Sequence, residues 1–173
     1  MLTDTTIAYL RQQVKAGADV VQLFDSWGGL LGPDDFEIFS LQYMRQIIVA
    51  LKDEAPTILF AKGAWHSLSE MAATGTAAIG IDWCIRPETA REFAGPRVIL
   101  QGNFDPARLL TPIPELKKQV TRMLNAFGPQ QHIANLGHGI LPNVPVDHAR
   151  AFVDAVKEHV YSGTLNESLM VDG

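Results

Sequence analysis

Along almost the whole chain, five short runs rich in Val, Ile and Leu alternate with longer segments whose apolar residues recur at helical spacing. No other feature of the sequence limits the fold so strongly. Parallel strands cannot be joined by tight turns and need crossovers, usually helices, so this alternation predicts an α/β fold with a parallel sheet. The strand candidates are Val20–Phe24, Thr57–Ala61, Ala78–Ile81, Val98–Leu100 and His132–Leu136. They read as apolar on both faces, as strands covered by helices do. The first helix spans about Asp4–Ala16, with Ile7, Leu10 and Val14 on one face and Gly17 beyond its end. Others span about Asp35–Lys52, Ser67–Ala73 and Pro87–Phe93. A further helix carries Leu116, Val120, Met123 and Leu124 and stops at Gly128-Pro129. The last runs from about Asp147 to Tyr161.

The pattern occupies residues 1–161 as one unit without an internal linker; residues 162–173 show none and read as a loose tail. An apolar fraction of 47% with 19% charged residues fits a globular chain rather than a disordered one. No apolar run approaches the ~20 residues that span a bilayer, and the first residues lack the pattern of a secretory signal. Cys84 is the single cysteine. It excludes an internal disulfide, fits a reducing cytoplasm and, lacking a thiol partner, reads as a buried structural residue. A formal charge of −5 without a basic run argues against a nucleic-acid partner.

Polar residues gather where each apolar run stops: Asp25-Ser26, Lys62-Gly63, Asp82-Trp83, Gln101-Gly102-Asn103 and Asn135-Leu136-Gly137-His138-Gly139. In parallel α/β folds the C-terminal strand ends form one rim, and ligands bind there. Five such ends in succession point to a site. Asp25 and Asp82 could equally cap turns, and Ser26 is not set in a G-x-S-x-G elbow. His138 between two glycines is the more pointed signal, because a small loop leaves an imidazole accessible for proton exchange or hydrogen bonding. His66, His132, His148 and His159 read as surface or packing residues, whereas Trp27, Trp65 and Trp83 could wall a pocket or pack in the core. No C-x-x-C, H-x-C, H-E-x-x-H or Gly-rich nucleotide fingerprint is present, so neither a metal nor a nucleotide cofactor is expected.

The blocks LFDSWGG (Leu23–Gly29), LFAKG (Leu59–Gly63), GIDW (Gly80–Trp83), LQGNFDP (Leu100–Pro106), FGP (Phe127–Pro129) and IANLGHGI (Ile133–Ile140) resemble, in order, those of the uroporphyrinogen decarboxylase family. That resemblance implies a TIM (β/α)8 barrel. It also implies cofactor-free and metal-free removal of four acetate carboxyls from uroporphyrinogen, giving coproporphyrinogen in haem synthesis, in a cytoplasmic enzyme that is a homodimer when full length. By the same resemblance, Ser26 contacts a substrate carboxylate, and His138 binds a carboxylate or assists proton transfer. Asp25, Lys62, Asp82, Gln101 and Asn103 match substrate-facing rim positions.

The family's R-Q-A-G-R segment, its aspartate facing the pyrrole nitrogens and a tyrosine near the substrate have no counterpart in this sequence. The resemblance therefore implies about the last five βα units of a barrel whose complete form takes ~250 residues. Open edge strands and little or no activity from these residues alone are expected. Two other readings stand beside it: a zinc- or corrinoid-dependent methyltransferase of the same fold, and a non-catalytic half-barrel binding module.

Overall fold

In the computed structural model, which describes residues 1–161, five parallel strands form one sheet in the order β1-β2-β3-β4-β5. They are β1 (Val21–Asp25), β2 (Thr57–Ala61), β3 (Ala78–Gly80), β4 (Ile99–Phe104) and β5 (His132–Leu136). The tail residues 162–173 lie outside the described residues. A doubly wound sheet reverses its strand order at a switch point, whereas a barrel adds each strand beside the last. The sequential order is that of a barrel, and right-handed crossovers then keep all helices on one face.

Those helices are α1 (Leu2–Lys15), α2 (Pro33–Phe36), α3 (Gln42–Leu51), α4 (Leu68–Ala72), α5 (Pro87–Ala94), α6 (Ile113–Phe127) and α7 (Val146–Lys157). Leu23, Leu59, Ile79 and Leu100 occupy alternate positions on successive strands and share one buried cluster with Leu41, Ile48 and Leu68 from the helices. A second cluster joins Phe104 to Leu116, Val120 and Leu124 of α6 and Phe152 of α7, with the two phenylalanine rings 5.2 Å apart. Spacing of four and eight residues puts those α6 side chains on one face, and Gly128, with φ +80°, ends the helix.

The opposite, concave face of the sheet is formed by Gln22 and Phe24, Phe60, Gly80, Gln101 and Asn135. Flat strands lie ~4.8 Å apart, so β1 and β4 would stand ~14 Å apart with β2 and β3 between them. Instead the Gln101 Nε2–H donates to Gln22 Oε1 at 3.3 Å. The sheet is curled into an arc.

Several sequence expectations need correction. β4 runs on to Phe104 because Gln101, Gly102 and Asn103 continue the ladder opposite Ile133, Ala134 and Asn135. What looked like a polar strand end is strand, held by backbone bonds that ignore side-chain polarity. Residues 33–51 are not one regular helix: Glu37–Leu41 form a π turn between α2 and α3. The last helix ends at Lys157. Strand β5 is neither apolar nor buried on both faces, since Asn135 stands exposed with Ile133 on the concave side and His132 lies on the other. Cys84 is exposed rather than buried, because it follows Asp82 into the rim loop instead of returning to the core. Of the two readings of Trp27, Trp65 and Trp83, core packing does not hold, since all three are exposed and absent from both core clusters, while Trp83 does line a cleft.

Candidate active site

Parallel pairing brings all five strand C-termini to one rim, and the curl turns the concave face into a cleft of about 540 Å³. Gln22, Phe24, Ser26, Phe60, Gln101, Asn135 and His138 line it. Three of the sequence-predicted residues, Ser26, Gln101 and His138, therefore meet in one place. The His138 ring sits edge-on to Phe60, with centroids 6.1 Å apart, and Phe60 in turn is edge-on to Phe24 at 5.8 Å. Neither the Ser26 hydroxyl nor the His138 imidazole has a hydrogen-bond partner among the described residues, and both side chains are exposed. Two polar groups thus face the cleft with their bonding capacity unspent.

The loops that carry them are fixed by close backbone approach. Gly29 N–H donates to the Lys62 carbonyl at 2.8 Å. A Cβ on Gly29 would fall 2.5 Å from the backbone of Gly63, so the loops after β1 and β2 can touch only through glycine. Gly137 plays the same part at the other edge: a Cβ there would stand 2.8 Å from the Trp83 nitrogen.

Other predicted residues build the rim instead of lining the cleft. Asp25 accepts the Trp27 N–H at 3.0 Å and the Ser40 hydroxyl at 2.6 Å. Ser40 lies within the π turn. Asp82, only 5% exposed, accepts the Gly63 N–H at 2.6 Å and the Cys84 N–H at 2.8 Å, tying two loops together. The Asn103 amide donates to the carbonyls of Asp82 at 3.1 Å and Ile85 at 2.8 Å. Lys62 holds its ammonium 5.7 Å from the centre of the Trp83 ring, a cation–π distance.

Gln22, Phe24 and Phe60 are the polar and aromatic cleft residues that lie outside the strand ends named from the sequence. Their signal was a polar or aromatic side chain at alternate positions of otherwise aliphatic strands, such as Gln22 within VQLFD. The lining holds amide, hydroxyl and imidazole groups but no carboxylate, ammonium or guanidinium. It can donate hydrogen bonds to an anion and stack on an apolar body, while offering no countercharge of its own.

One further histidine is structural. The neutral His132 ring donates Nε2–H to the Gly102 carbonyl at 2.7 Å and stacks on Phe127 at 3.9 Å. Burial pushes its pKa below the ordinary histidine value; the bond to Gly102 only partly opposes that, and nearby Arg91 adds slightly to it. Among the described residues no group of three or more His, Cys, Asp or Glu side chains is arranged to hold a metal ion. No helix among them is long and apolar enough to cross a membrane.

Comparison with known proteins places this geometry in a family. The chain is 60% identical over 158 residues to uroporphyrinogen decarboxylase of Christiangramia forsetii and 55% identical to that of Flavobacterium johnsoniae. Each match covers 91% of this chain and 46% of the relative, so the chain spans about half the length of these curated relatives. Among solved structures, a methyltransferase from Methanosarcina mazei superposes with a TM-score of 0.78 at 26% identity, over 90% of this chain and 47% of that one. The uroporphyrinogen decarboxylase (URO-D) family model matches residues 1–159, and the chain belongs to that family.

Proposed function

We propose that the concave cleft is part of a uroporphyrinogen decarboxylase active site, in which Ser26 and His138 take up substrate carboxylates. The observation that carries this reading is the convergence of two unpartnered polar side chains on one curved, partly aromatic face in a chain of this family. The reaction removes carbon dioxide from a pyrrole acetate. Breaking that carbon–carbon bond leaves an electron pair on the methylene carbon, which needs a sink. Protonation of the pyrrole ring carbon provides it, the ring accepts the pair as the carboxyl departs, a second proton converts the methylene to a methyl group, and loss of the first proton from the ring carbon restores the pyrrole. The cleft supplies donors that orient the carboxylates, with His138 placed to hold one or to move a proton; Phe24 and Phe60 offer an apolar surface to the macrocycle.

The ring cation needs a carboxylate, and the eight substrate carboxylates need cationic partners. The cleft lining contains neither. Those groups come from outside this part of the fold, and the 173 residues alone turn over little or no uroporphyrinogen. Gln101 and Asn135 add amide donors toward the substrate, whereas Asp25, Lys62, Asp82 and Asn103 serve by holding the rim in shape. The full-length enzyme acts in the cytoplasm as a homodimer, without cofactor, metal or nucleic acid. A reducing compartment is in keeping with the free Cys84 thiol. The methyltransferase reading draws on the Methanosarcina mazei likeness; no metal-ligand cluster among the described residues supports it.

The test is anaerobic titration of the chain with uroporphyrinogen, read by NMR of selectively labelled histidine. The reading expects the His138 resonances to shift on binding, with Ser26→Ala weakening the effect about tenfold for a lost charged hydrogen bond. Unmoved His138 resonances would refute it, and rapid turnover by the chain would refute the missing-group argument.

A further inference from the structure

A second cleft, of about 630 Å³, opens between the loop after β3, the end of β4 and one face of α6. It shares no lining residue with the concave cleft. Three of the chain's eight arginines, Arg86, Arg108 and Arg122, line it. Most other arginines are committed: Arg11 to Glu54, Arg45 to Glu37, Arg150 to Asp147, and Arg91 to backbone carbonyls. Arg108 donates to Gln119 at 2.9 Å and stands 3.9 Å from Asp105.

Arg86 and Arg122 have no hydrogen-bond or ion-pair partner among the described residues. Two carboxylates also line the cleft, Glu88 and Asp105, and that of Asp105 already accepts the Ala107 N–H at 2.9 Å. The lining therefore carries an excess of one positive charge in a chain whose formal charge is −5. Of the other lining residues, Ile85, Phe104 and Met123 are buried and apolar.

We propose that this cleft binds an amphipathic organic anion, an apolar body bearing a carboxylate or phosphate that bonds the free guanidiniums of Arg86 and Arg122. Guanidinium offers paired donors that match both groups, and the volume lies in the range of small-ligand sites. Binding here does not depend on the catalytic reading of the concave cleft. Carboxylated aromatics and nucleotides both carry the required chemistry, and the assay separates them.

Cys84, the single cysteine, lines this cleft and serves as a reporter. Its alkylation by iodoacetamide is timed in mildly alkaline buffer with coproporphyrin, with adenosine monophosphate, and with inorganic phosphate alone. At least one organic anion is expected to slow alkylation, and inorganic phosphate is not. Arg86→Gln and Arg122→Gln, both exposed positions, are each expected to weaken that protection about tenfold with circular dichroism unchanged. His138→Ala is expected to leave it intact. Absence of protection by either organic anion overturns the proposal. So does protection by phosphate alone, protection that survives the double arginine variant, or protection that His138→Ala abolishes.

Discussion

Removing the Asp82 carboxylate is expected to loosen the rim, and the size of the effect follows from its two bonds. The side chain is 5% exposed and accepts N–H groups from Gly63 and Cys84, one on each of two neighbouring loops. A hydrogen bond to a charged group contributes about 1.5–3 kcal/mol. Both donors lie near solvent, at a half-buried and an exposed residue, so water recovers part of each loss and the lower end applies. Asp82→Ala should then cost about 3 kcal/mol. Asp82→Asn keeps one acceptor oxygen but turns an NH₂ toward the other amide, so about half that loss is expected. At roughly 3 °C per kcal/mol for a chain of this size, Tm should fall by about 9 °C for Ala and 4–5 °C for Asn. Thermal unfolding followed by far-ultraviolet circular dichroism measures both. An Asn variant as stable as the parent would refute the account, because it would mean that the second bond contributes nothing.

Gly29→Ala should destabilise by about 1–3 kcal/mol through overpacking, since its Cβ meets Gly63 backbone, while Gly32→Ala meets nothing within 4 Å and should be near neutral; urea unfolding distinguishes them. Ser26→Ala and His138→Ala remove groups with no partner among the described residues, so each should change stability by less than about 0.5 kcal/mol in the same experiment. His132 should make stability depend on pH. Its folded pKa lies below the 6.5 of a free histidine, so under acid conditions the unfolded chain binds a proton that the folded chain refuses. Stability is full above about pH 6.5 and falls as the pH drops from there toward the folded pKa. His132→Gln should flatten that slope, and an unchanged slope between pH 7 and 5, roughly the window in which histidine titrates, would count against the assignment.

Strands β2 and β5 are legible in the sequence to the residue, because short runs centred on aliphatic residues and bounded by proline-, glycine- or glutamine-containing stretches leave little freedom. The extension of β4 is not. Gln101 and Asn103 look like turn residues until β5 is placed beside them, and the ladder is tertiary information. The same limit hides the division of labour at the rim. Asp25, Asp82, Ser26 and His138 all sit at strand ends, and sequence cannot show which polar groups spend their bonds on neighbouring loops. Asp25 does so through Ser40, fifteen residues away in a π turn that no periodicity announces. Cys84 shows a similar limit: hydrophobic character suggests burial, but the Asp82 carboxylate holds its backbone in the exposed loop. The family blocks, by contrast, were visible from local sequence and agree with the match over residues 1–159.

On the proposed reading, this chain supplies the carboxylate-binding face of a decarboxylase. The most direct measurement joins the segment that precedes the matched region in the Christiangramia forsetii relative to this chain and follows anaerobic conversion of uroporphyrinogen. The 60% identity across the matched region makes such a graft reasonable. Turnover by the joined protein is expected, with a loss of about 10²–10⁴-fold for His138→Ala if it moves a proton and of about tenfold for Ser26→Ala. Turnover that neither substitution lowers would contradict that reading.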